Sequence, residues 1–274
     1  MKATAGVVLC GGRSSRMHRA KALLPWRGRT LIEQVVDVLA GVVDEVVVVA
    51  SATLALPPLD ARTVRDREPE LGPLAGIRDG LEATVAKFAF VTATDAPFLT
   101  RRFVEQLLSF GENVVPLVAG YLQPLAAVYA TKLASRAAAL IAAGNRRADD
   151  LIAHGDFRIV SPDELKDIES LENLNDPQTY LATVRRDAAA RAEELAPVQI
   201  EFAGRARRAA ARAQAAVACG TLREVLAAID SQLGRSQFSR DGAPVAEYRY
   251  ALAEAALLEH AEVPIGPGEH LVIE

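Results

Sequence analysis

A glycine-rich segment near the start of the chain carries residue types that bind phosphate. It reads Leu9-Cys10-Gly11-Gly12-Arg13-Ser14-Ser15-Arg16-Met17, follows an apolar run and precedes Lys21. Paired glycines let the backbone approach phosphate oxygens closely, with successive N–H groups pointing at them. The pattern is neither a Walker A motif nor a dinucleotide-binding G-x-G-x-x-G motif. A tight turn with solvated basic residues is the alternative, but the full spacing favours a triphosphate, with Arg16 and Lys21 adding positive charge.

An aspartate follows a second apolar run, at a point where α/β sheets place ligands. Asp95 stands in Thr94-Asp95-Ala96-Pro97-Phe98-Leu99, after the run Phe88–Thr92. The sequence therefore places Asp95 at the carboxyl end of a central strand. A carboxylate there can hold Mg²⁺, which prefers oxygen ligands and often bridges protein to substrate phosphates. A helix N-cap is the alternative role, but Thr100 is better placed for it.

Two further segments combine glycine, proline and oxygen-bearing side chains. Asp66 precedes Leu71-Gly72-Pro73-Leu74-Ala75-Gly76-Ile77. Gly72 and Pro73 place the N-terminus of a helix there, where anionic groups are favoured. Later, Leu171-Glu172-Asn173-Leu174-Asn175-Asp176-Pro177 offers amide oxygens as metal ligands or hydrogen-bond partners. An ordinary corner and an Asn/Asp/Pro turn are the respective alternatives.

The first 180 residues alternate apolar runs with helical patterns. The predicted strands are Gly6–Cys10, Glu45–Ala50, Ala61–Val64, Phe88–Thr92, Val114–Leu117, Gln123–Tyr129 and Phe157–Val160. The predicted helices are Thr30–Leu39, Pro73–Val85, Thr100–Phe110, Lys132–Ala143 and Ala148–His154. Runs that are apolar at every position suit strands buried on both faces. The alternation predicts an α/β fold with a doubly wound, mostly parallel sheet.

Composition narrows the class of protein. The chain has 274 residues, 50% hydrophobic and 24% charged, with a net charge of −4. This supplies a packed core and argues against a nucleic-acid binder, whose domain would be strongly basic. The two cysteines, Cys10 and Cys219, are too few for a disulfide scaffold or a cysteine-built zinc site. No apolar run approaches the length of a membrane span, so we expect a cytoplasmic protein with neither a membrane nor a nucleic acid as partner.

A change in amino-acid composition after about residue 182 predicts two domains. Thr183–Pro197 is charged, Ala-rich and closed by proline, like a solvated helix leading into a linker. We therefore expect domains at 1–182 and 198–274, joined by a linker at 183–197. The second domain begins with a strand at Val198–Phe202 and has a helical stretch through Ala206–Ala218. A further helix runs to Leu233, and a last strand covers Leu271–Glu274.

The N-terminal motifs resemble the signature of molybdenum cofactor guanylyltransferases and related nucleotidyltransferases. Their loop, Leu-x-Gly-Gly-x-Ser-x-Arg-Met followed by Lys, is matched at Leu9, Gly11, Gly12, Ser14, Arg16, Met17 and Lys21. The sequence departs from the family at His18, where Gly is usual, and at Ala20, where Asp or Pro commonly stands. The resemblance extends over residues about 4–182.

This resemblance implies a Rossmann-like nucleotidyltransferase domain that transfers GMP from GTP to molybdopterin and releases pyrophosphate. It implies catalytic roles for Arg16, Lys21 and Asp95, and Mg²⁺ held by Asp95 and Asn175. The implied nucleotide-binding residues are Leu9, Gly11, Gly12, Arg13, Ser14, Lys21, Asp66 and Gly72. Three alternatives stay open: a cytidylyltransferase using CTP on the same acceptor, a sugar-phosphate nucleotidyltransferase, and a nucleotide-binding scaffold that regulates molybdenum cofactor synthesis.

The tail resembles the small ubiquitin-like β-grasp domains of the molybdopterin-synthase small subunit and the thiamine sulfur carriers. The matching pieces are Val198–Phe202, residues 220–226 and residues 265–273. Those carriers end in Gly-Gly, whereas this sequence ends Leu271-Val272-Ile273-Glu274. The expectation is a smaller α+β domain that docks or regulates, with molybdenum cofactor biosynthesis proteins or molybdoenzymes as partners.

Overall fold

The computed structural model describes residues 4–11, 16–68, 71–252 and 256–274. Its helices are α1 (Leu31–Ala40), α2 (Pro73–Glu82), α3 (Arg101–Ser109), α4 (Leu133–Ala142), α5 (Ala148–Ala153), α6 (Pro177–Ala190), α7 (Gly204–Ala210) and α8 (Leu222–Leu233). Its strands are β1 (Thr4–Cys10), β2 (Pro25–Trp26), β3 (Arg29–Thr30), β4 (Glu45–Ala50), β5 (Arg62–Arg65), β6 (Phe88–Ala93), β7 (Val114–Val118), β8 (Tyr121–Leu122), β9 (Ala126–Ala130), β10 (Arg158–Val160), β11 (Val198–Phe202), β12 (Gln214–Val217), β13 (Gly220–Thr221), β14 (Ser239–Arg240), β15 (Ala243–Pro244), β16 (Tyr250–Leu252), β17 (Ala256–Leu257), β18 (Pro264–Ile265) and β19 (His270–Ile273).

The chain folds as two compact units, and each unit is made of two separate stretches of the sequence. The first comprises Met1–Arg13 and Arg29–Asn173, and the second comprises Ser14–Gly28 and Leu174–Glu274. The glycine-rich motif is therefore divided, because its basic half belongs to the second unit. The predicted domain boundaries at 1–182, 183–197 and 198–274 stay a prediction.

The first unit is built around a mixed, mostly parallel sheet. Its strand order is β10-β7-β9-β6-β1-β4-β5, with β8 added beside β7. β1 lies inside the sheet and runs parallel to β4 and β6, whereas β9 runs antiparallel to both of its neighbours. The strands predicted from apolar runs are confirmed within a few residues. The longest difference is at Gln123–Tyr129, where the strand begins only at Ala126.

Helices cover both faces of this sheet. A Cβ on Gly6 would press against Leu39 of α1, whereas a Cβ on Gly80 of α2 would overlap Val7. Since adjacent strand residues point to opposite faces, α1 and α2 lie on opposite sides of β1. The predicted helix starts are also confirmed: Thr30 and Glu33 form a capping box, and Thr100 caps α3 by accepting from the Phe103 N–H at 3.1 Å.

The second unit contains its own sheet and core. The sheet has the order β12-β11-β19-β16-β17, with β11 parallel to β19 and the other neighbours antiparallel. α8 lies against this sheet and buries Leu222, Val225, Leu226 and Ile229. The helix expected through Ala206–Ala218 is wrong beyond Ala210. Ala211 turns into the left-handed region at φ 54°, and Gln214–Val217 pairs with β11 as a strand.

The charged, Ala-rich segment is also more buried than its composition indicates. Its first half continues α6 to Ala190 and buries Thr183, Val184 and Ala188. Asp187 accepts two hydrogen bonds from Arg27, at 2.6 and 3.0 Å, and this pairing lowers the pKa of the Asp187 carboxyl. The segment is thus a packed helix, rather than a solvated one, up to Ala190. Across the described ranges, no helix has the length and apolar character needed to cross a membrane.

Candidate functional site

Three of the residues predicted from the sequence lie at the same edge of the first sheet. Leu9 in β1 is in register with Val49 of β4 and Ala93 of β6, and Ala50 is in register with Arg65 of β5. Gly11, Asp66 and Asp95 therefore follow the carboxyl ends of parallel strands at one edge of the sheet. Leu9 itself is only 8% exposed, so its side chain belongs to the core.

Gly11 and Asp66 lie next to each other. A Cβ built on Gly11 would stand 3.6 Å from Oδ2 of Asp66. Burial raises the pKa of the Asp66 carboxyl, although the backbone N–H of Glu68 donates to its Oδ1 at 2.9 Å and opposes the shift. A half-buried acceptor thus stands beside an exposed glycine backbone, an arrangement that suits hydrogen-bond donors on a ligand.

A network of charged side chains around two buried residues, Arg78 and Asp79, supports this part of the site. Arg78 of α2 donates to Asp79 at 2.8 Å and to Glu68 at 2.6 Å. Asp79 also accepts from the Arg67 backbone N–H at 3.0 Å and from the Arg67 guanidinium. Burial alone would raise the pKa of Asp79, but the hydrogen bonds from Arg67 and Arg78 outweigh it and the pKa is lowered. The network ties residues 67–68 to α2 and so fixes the chain that follows Asp66.

The start of α2 depends on glycine. Gly72 has φ 76° and ψ −168°, which side-chain-bearing residues rarely adopt, and a Cβ there would lie 3.2 Å from the Arg146 carbonyl oxygen. Pro73 occupies the first helical turn, as predicted. A Cβ on Gly76 would come within 3.2 Å of Leu9, so α2 packs closely on the end of β1. The N-terminus of α2 is therefore held near the carboxyl end of β1.

Asp95 stands two residues after β6, half-buried between the buried residues Thr94 and Ala96. Because Thr100 caps α3, capping does not account for Asp95. Its carboxylate is a hard oxygen donor that suits Mg²⁺. In the part of the chain that the structure describes, no group of three or more His, Cys, Asp and Glu side chains could hold a metal ion.

The second unit contains Arg16, Lys21 and Asn175, three of the site residues predicted from the sequence. Lys21 opens a short 3-10 turn, and its ammonium donates to Oδ1 of Asn175 at 3.2 Å. Asp176 caps α6 by accepting from the Thr179 backbone N–H at 2.8 Å. This hydrogen bond is the main cause of the lowered pKa of Asp176, with a smaller contribution from the charge of exposed Arg16. Arg16, Lys21 and Asn175 thus belong to one unit, with Asn175 bonded to the lysine.

Gly12, Arg13 and Ser14, which the sequence predicts as nucleotide-binding residues, lie outside the described residues. The roles predicted for Leu9, Gly11, Asp66, Gly72 and Asp95, and for Arg16, Lys21 and Asn175, stay predictions. Sequence reasoning missed the supporting network of Arg67, Glu68, Arg78 and Asp79. The available signal was the pair Arg78-Asp79, which interrupts the otherwise apolar and glycine-rich stretch from Leu71 to Leu81.

Solved structures with the same fold define the class. Molybdopterin-guanine dinucleotide biosynthesis protein A from Archaeoglobus fulgidus aligns over 68% of this chain and 99% of its own, with a TM-score of 0.58 and 23% identity. A nucleotidyl transferase from Methanothermobacter thermautotroptrophicus aligns over 69% of this chain and 99% of its own, with a TM-score of 0.56 and 23% identity. The first unit therefore has a mixed α/β nucleotidyltransferase fold.

The family follows from the sequence. The model of the MobA-like NTP transferase domain matches residues 6–159, more than half of the chain. The chain belongs to this family and is a nucleotidyltransferase. It is 39% identical over 192 residues to a Mycobacterium ulcerans protein named "Probable molybdenum cofactor guanylyltransferase", covering 66% of this chain and 93% of that protein. A Mycobacterium tuberculosis protein of the same name is 40% identical over 186 residues, covering 63% and 92% respectively.

Proposed function

We propose that the protein transfers GMP from GTP to the phosphate of molybdopterin and releases pyrophosphate. The observation that carries this is the convergence of Gly11, Asp66, Asp95 and the α2 N-terminus at the carboxyl edge of the sheet, in a chain of the MobA-like family. The names of the mycobacterial relatives support the choice of GTP and molybdopterin. An acidic chain of this size suits a small-molecule enzyme.

In the proposed reaction the acceptor phosphate attacks the α-phosphorus of GTP in line, the bond to the β-phosphate oxygen breaks, and pyrophosphate leaves. The backbone at Gly11 and the positive end of the α2 dipole attract phosphate oxygens. Arg16 and Lys21 offset charge on the leaving pyrophosphate, and Asp66 accepts hydrogen bonds from the nucleotide. Catalysis comes from positioning and charge stabilisation, so no protein nucleophile is required.

Asp95 is the residue proposed to hold Mg²⁺. When bound, the cation would neutralise phosphate oxygens and draw the triphosphate into a reactive arrangement. The half-buried position of Asp95 and its hard oxygen donors support this assignment. Asn175 is proposed as a helper whose amide oxygen is held by Lys21 at 3.2 Å.

The second unit is proposed to contain a β-grasp domain at residues 198–274, reached through residues 183–197. The strand order β12-β11-β19-β16-β17 supports it, because the first and last strands, β11 and β19, lie side by side and parallel, with a helix crossing between the two strand pairs. A docking or regulatory role toward molybdenum cofactor biosynthesis proteins or molybdoenzymes is proposed for this domain.

The test is pyrophosphate release from GTP and from CTP, with and without molybdopterin, over a titration of Mg²⁺. The expected result is release that requires both molybdopterin and Mg²⁺ and favours GTP. A preference for CTP would replace the guanylyl assignment by a cytidylyl one. Nucleotide binding without turnover in either case would overturn the enzymatic proposal in favour of a nucleotide-binding scaffold.

A further inference from the structure

A partly buried ion pair joins the motif segment, defined as Arg16–Gly28, to the C-terminal turn, defined as Gly266–Glu269. Arg19 donates to both carboxylate oxygens of Glu269, at 2.7 and 2.8 Å, and to the Pro264 carbonyl oxygen at 3.0 Å. The two side chains are only 15% and 14% exposed. Glu269 also accepts from the Gly266 backbone N–H at 2.7 Å, so the carboxylate is fully engaged.

Other contacts in the same unit hold the same segment. The ring of His18 stacks on His260, with centroids 4.2 Å apart. The Tyr180 hydroxyl donates to the Pro25 carbonyl oxygen at 2.8 Å. A Cβ on Gly266 would collide with Tyr180 and press on Pro25, so the turn and the segment are in close contact. The motif segment is therefore packed on residues from the end of the chain along much of its length.

The anchored residues His18 and Arg19 lie between Arg16 and Lys21, the two residues proposed to contact the nucleotide. Arg16 and Lys21 lie three residues before and two residues after Arg19. A bidentate Arg–carboxylate pair fixes both the position and the orientation of the guanidinium. Removing the charge of one partner in a pair that is largely shielded from water leaves the other charge uncompensated, which destabilises the local arrangement. The backbone on either side of Arg19 must then respond.

We propose that Arg19 is a positioning residue, which uses its ion pair with Glu269 to hold Arg16 and Lys21 in the arrangement that binds the nucleoside triphosphate. The C-terminal turn thereby controls nucleotide affinity. This inference rests on the proposed function, because it assigns Arg16 and Lys21 to the triphosphate.

The experiment compares Glu269→Gln with the control Glu262→Gln in the full chain. Glu262 pairs with Arg223 of α8 at 2.8 Å and is 42% exposed, so the control removes the same charge from an ion pair outside the motif segment. Hydrogen exchange is followed at the amides of Leu23 and Leu24, which donate to Ala20 and Lys21. KM and kcat for the triphosphate are measured on the same samples.

In Glu269→Gln we expect the rate of amide hydrogen exchange at Leu23 and Leu24 to rise about tenfold. The KM for the triphosphate should rise by a similar factor, because the variant loses one charged hydrogen bond. Glu262→Gln should change neither. The double variant Arg19→Gln/Glu269→Gln should lose less than the sum of the single variants, as expected for interacting partners. If Glu269→Gln does not fold, Arg19→Lys, which keeps the charge but loses the bidentate geometry, serves as the test variant.

The outcomes separate the two proposals. Unchanged exchange and unchanged KM in Glu269→Gln would overturn the anchoring role. Raised exchange with an unchanged KM would mean that the pair is structural only, and the positioning role would be wrong. Absence of turnover in the wild-type protein would overturn the proposed function, while nucleotide affinity measured by calorimetry would still decide whether Arg19 acts on binding.

Discussion

Replacing Gly72 by Ala tests whether the start of α2 belongs to the nucleotide site. The residue has φ 76° and ψ −168°, and the added Cβ would lie 3.2 Å from the Arg146 carbonyl oxygen. A backbone conformation of this kind costs a side-chain-bearing residue about 1–3 kcal/mol. Relief of the strain requires φ and ψ to change at the residue that aims the first N–H groups of the helix. Stability and nucleotide affinity should therefore fall together.

Gly111→Ala is the matched control. Gly111 also has a positive φ, 68°, but no atom lies within 4 Å of the position of its Cβ, and it follows α3. The control should lose about 1 kcal/mol from the unfavourable φ alone. In Gly72→Ala the Tm should fall by roughly 5 °C or more, and the affinity for GTP should fall about tenfold, the effect of one lost hydrogen bond to a charged group.

The assays are calorimetric unfolding and isothermal titration with GTP and Mg²⁺ in the absence of an acceptor, so that binding is measured without turnover. Equal losses of Tm in Gly72→Ala and Gly111→Ala, with GTP affinity unchanged in both, would refute the reasoning. Such a result would mean that Gly72 is only a turn residue before α2 and has no role in nucleotide binding.

Three further predictions concern charge. Lys21→Ala should lower turnover by about 100-fold, since it removes a charge proposed to stabilise the leaving pyrophosphate, while circular dichroism should show an unchanged fold; an unchanged steady-state rate would remove Lys21 from the mechanism. Asp95→Asn should raise the Mg²⁺ concentration needed for half-maximal rate by about tenfold or more, because a neutral amide binds hard cations weakly; an unaltered Mg²⁺ titration would contradict the assignment. Asp79 has a lowered pKa in the folded protein, so its stabilising contribution is complete above its unfolded pKa of about 4 and is lost as the pH falls through the folded pKa. Asp79→Asn should therefore cost about 3 kcal/mol at pH 7 and flatten the acid side of the stability profile measured by urea unfolding; a cost that persists unchanged at pH 3 would contradict this.

The sequence predicted the first unit well because its signals are local. Val46–Val49 is apolar at every position and forms a strand buried on both faces. Thr30, Pro73 and Thr100 start helices through capping and first-turn preferences that involve only a few neighbouring residues. Sheet position follows from the alternation of strands and helices, so the common edge that gathers Gly11, Asp66 and Asp95 was also predictable.

Long-range pairing was not predictable in the same way. The helical propensity of Ala206–Ala218 favours one helix, but Gln214–Val217 gains backbone hydrogen bonds by pairing with β11, and this tertiary pairing prevails over local preference. The Arg78–Asp79 network depends on a contact with Arg67 and Glu68 across a turn. No spacing rule links these four residues, and only the folded chain shows that the exposed charges of Arg67 and Glu68 meet the buried charges of Arg78 and Asp79.

The departure of the motif at position 18 has a physical explanation in the second unit. His18 has φ 54°, a left-handed conformation that costs a non-glycine residue about 1–2 kcal/mol. A glycine would adopt it without strain, which accounts for the residue usual in the motif. The ring of His18 stacks on His260, with centroids 4.2 Å apart, and this contact offsets part of the strain. The substitution therefore retains the backbone path of the glycine while adding a side chain that contacts the C-terminal part of the chain.

Arg19, the next residue, makes its ion pair with the same part of the chain. Both residues are thus explained by one requirement, that the segment carrying Arg16 and Lys21 be held by the end of the chain.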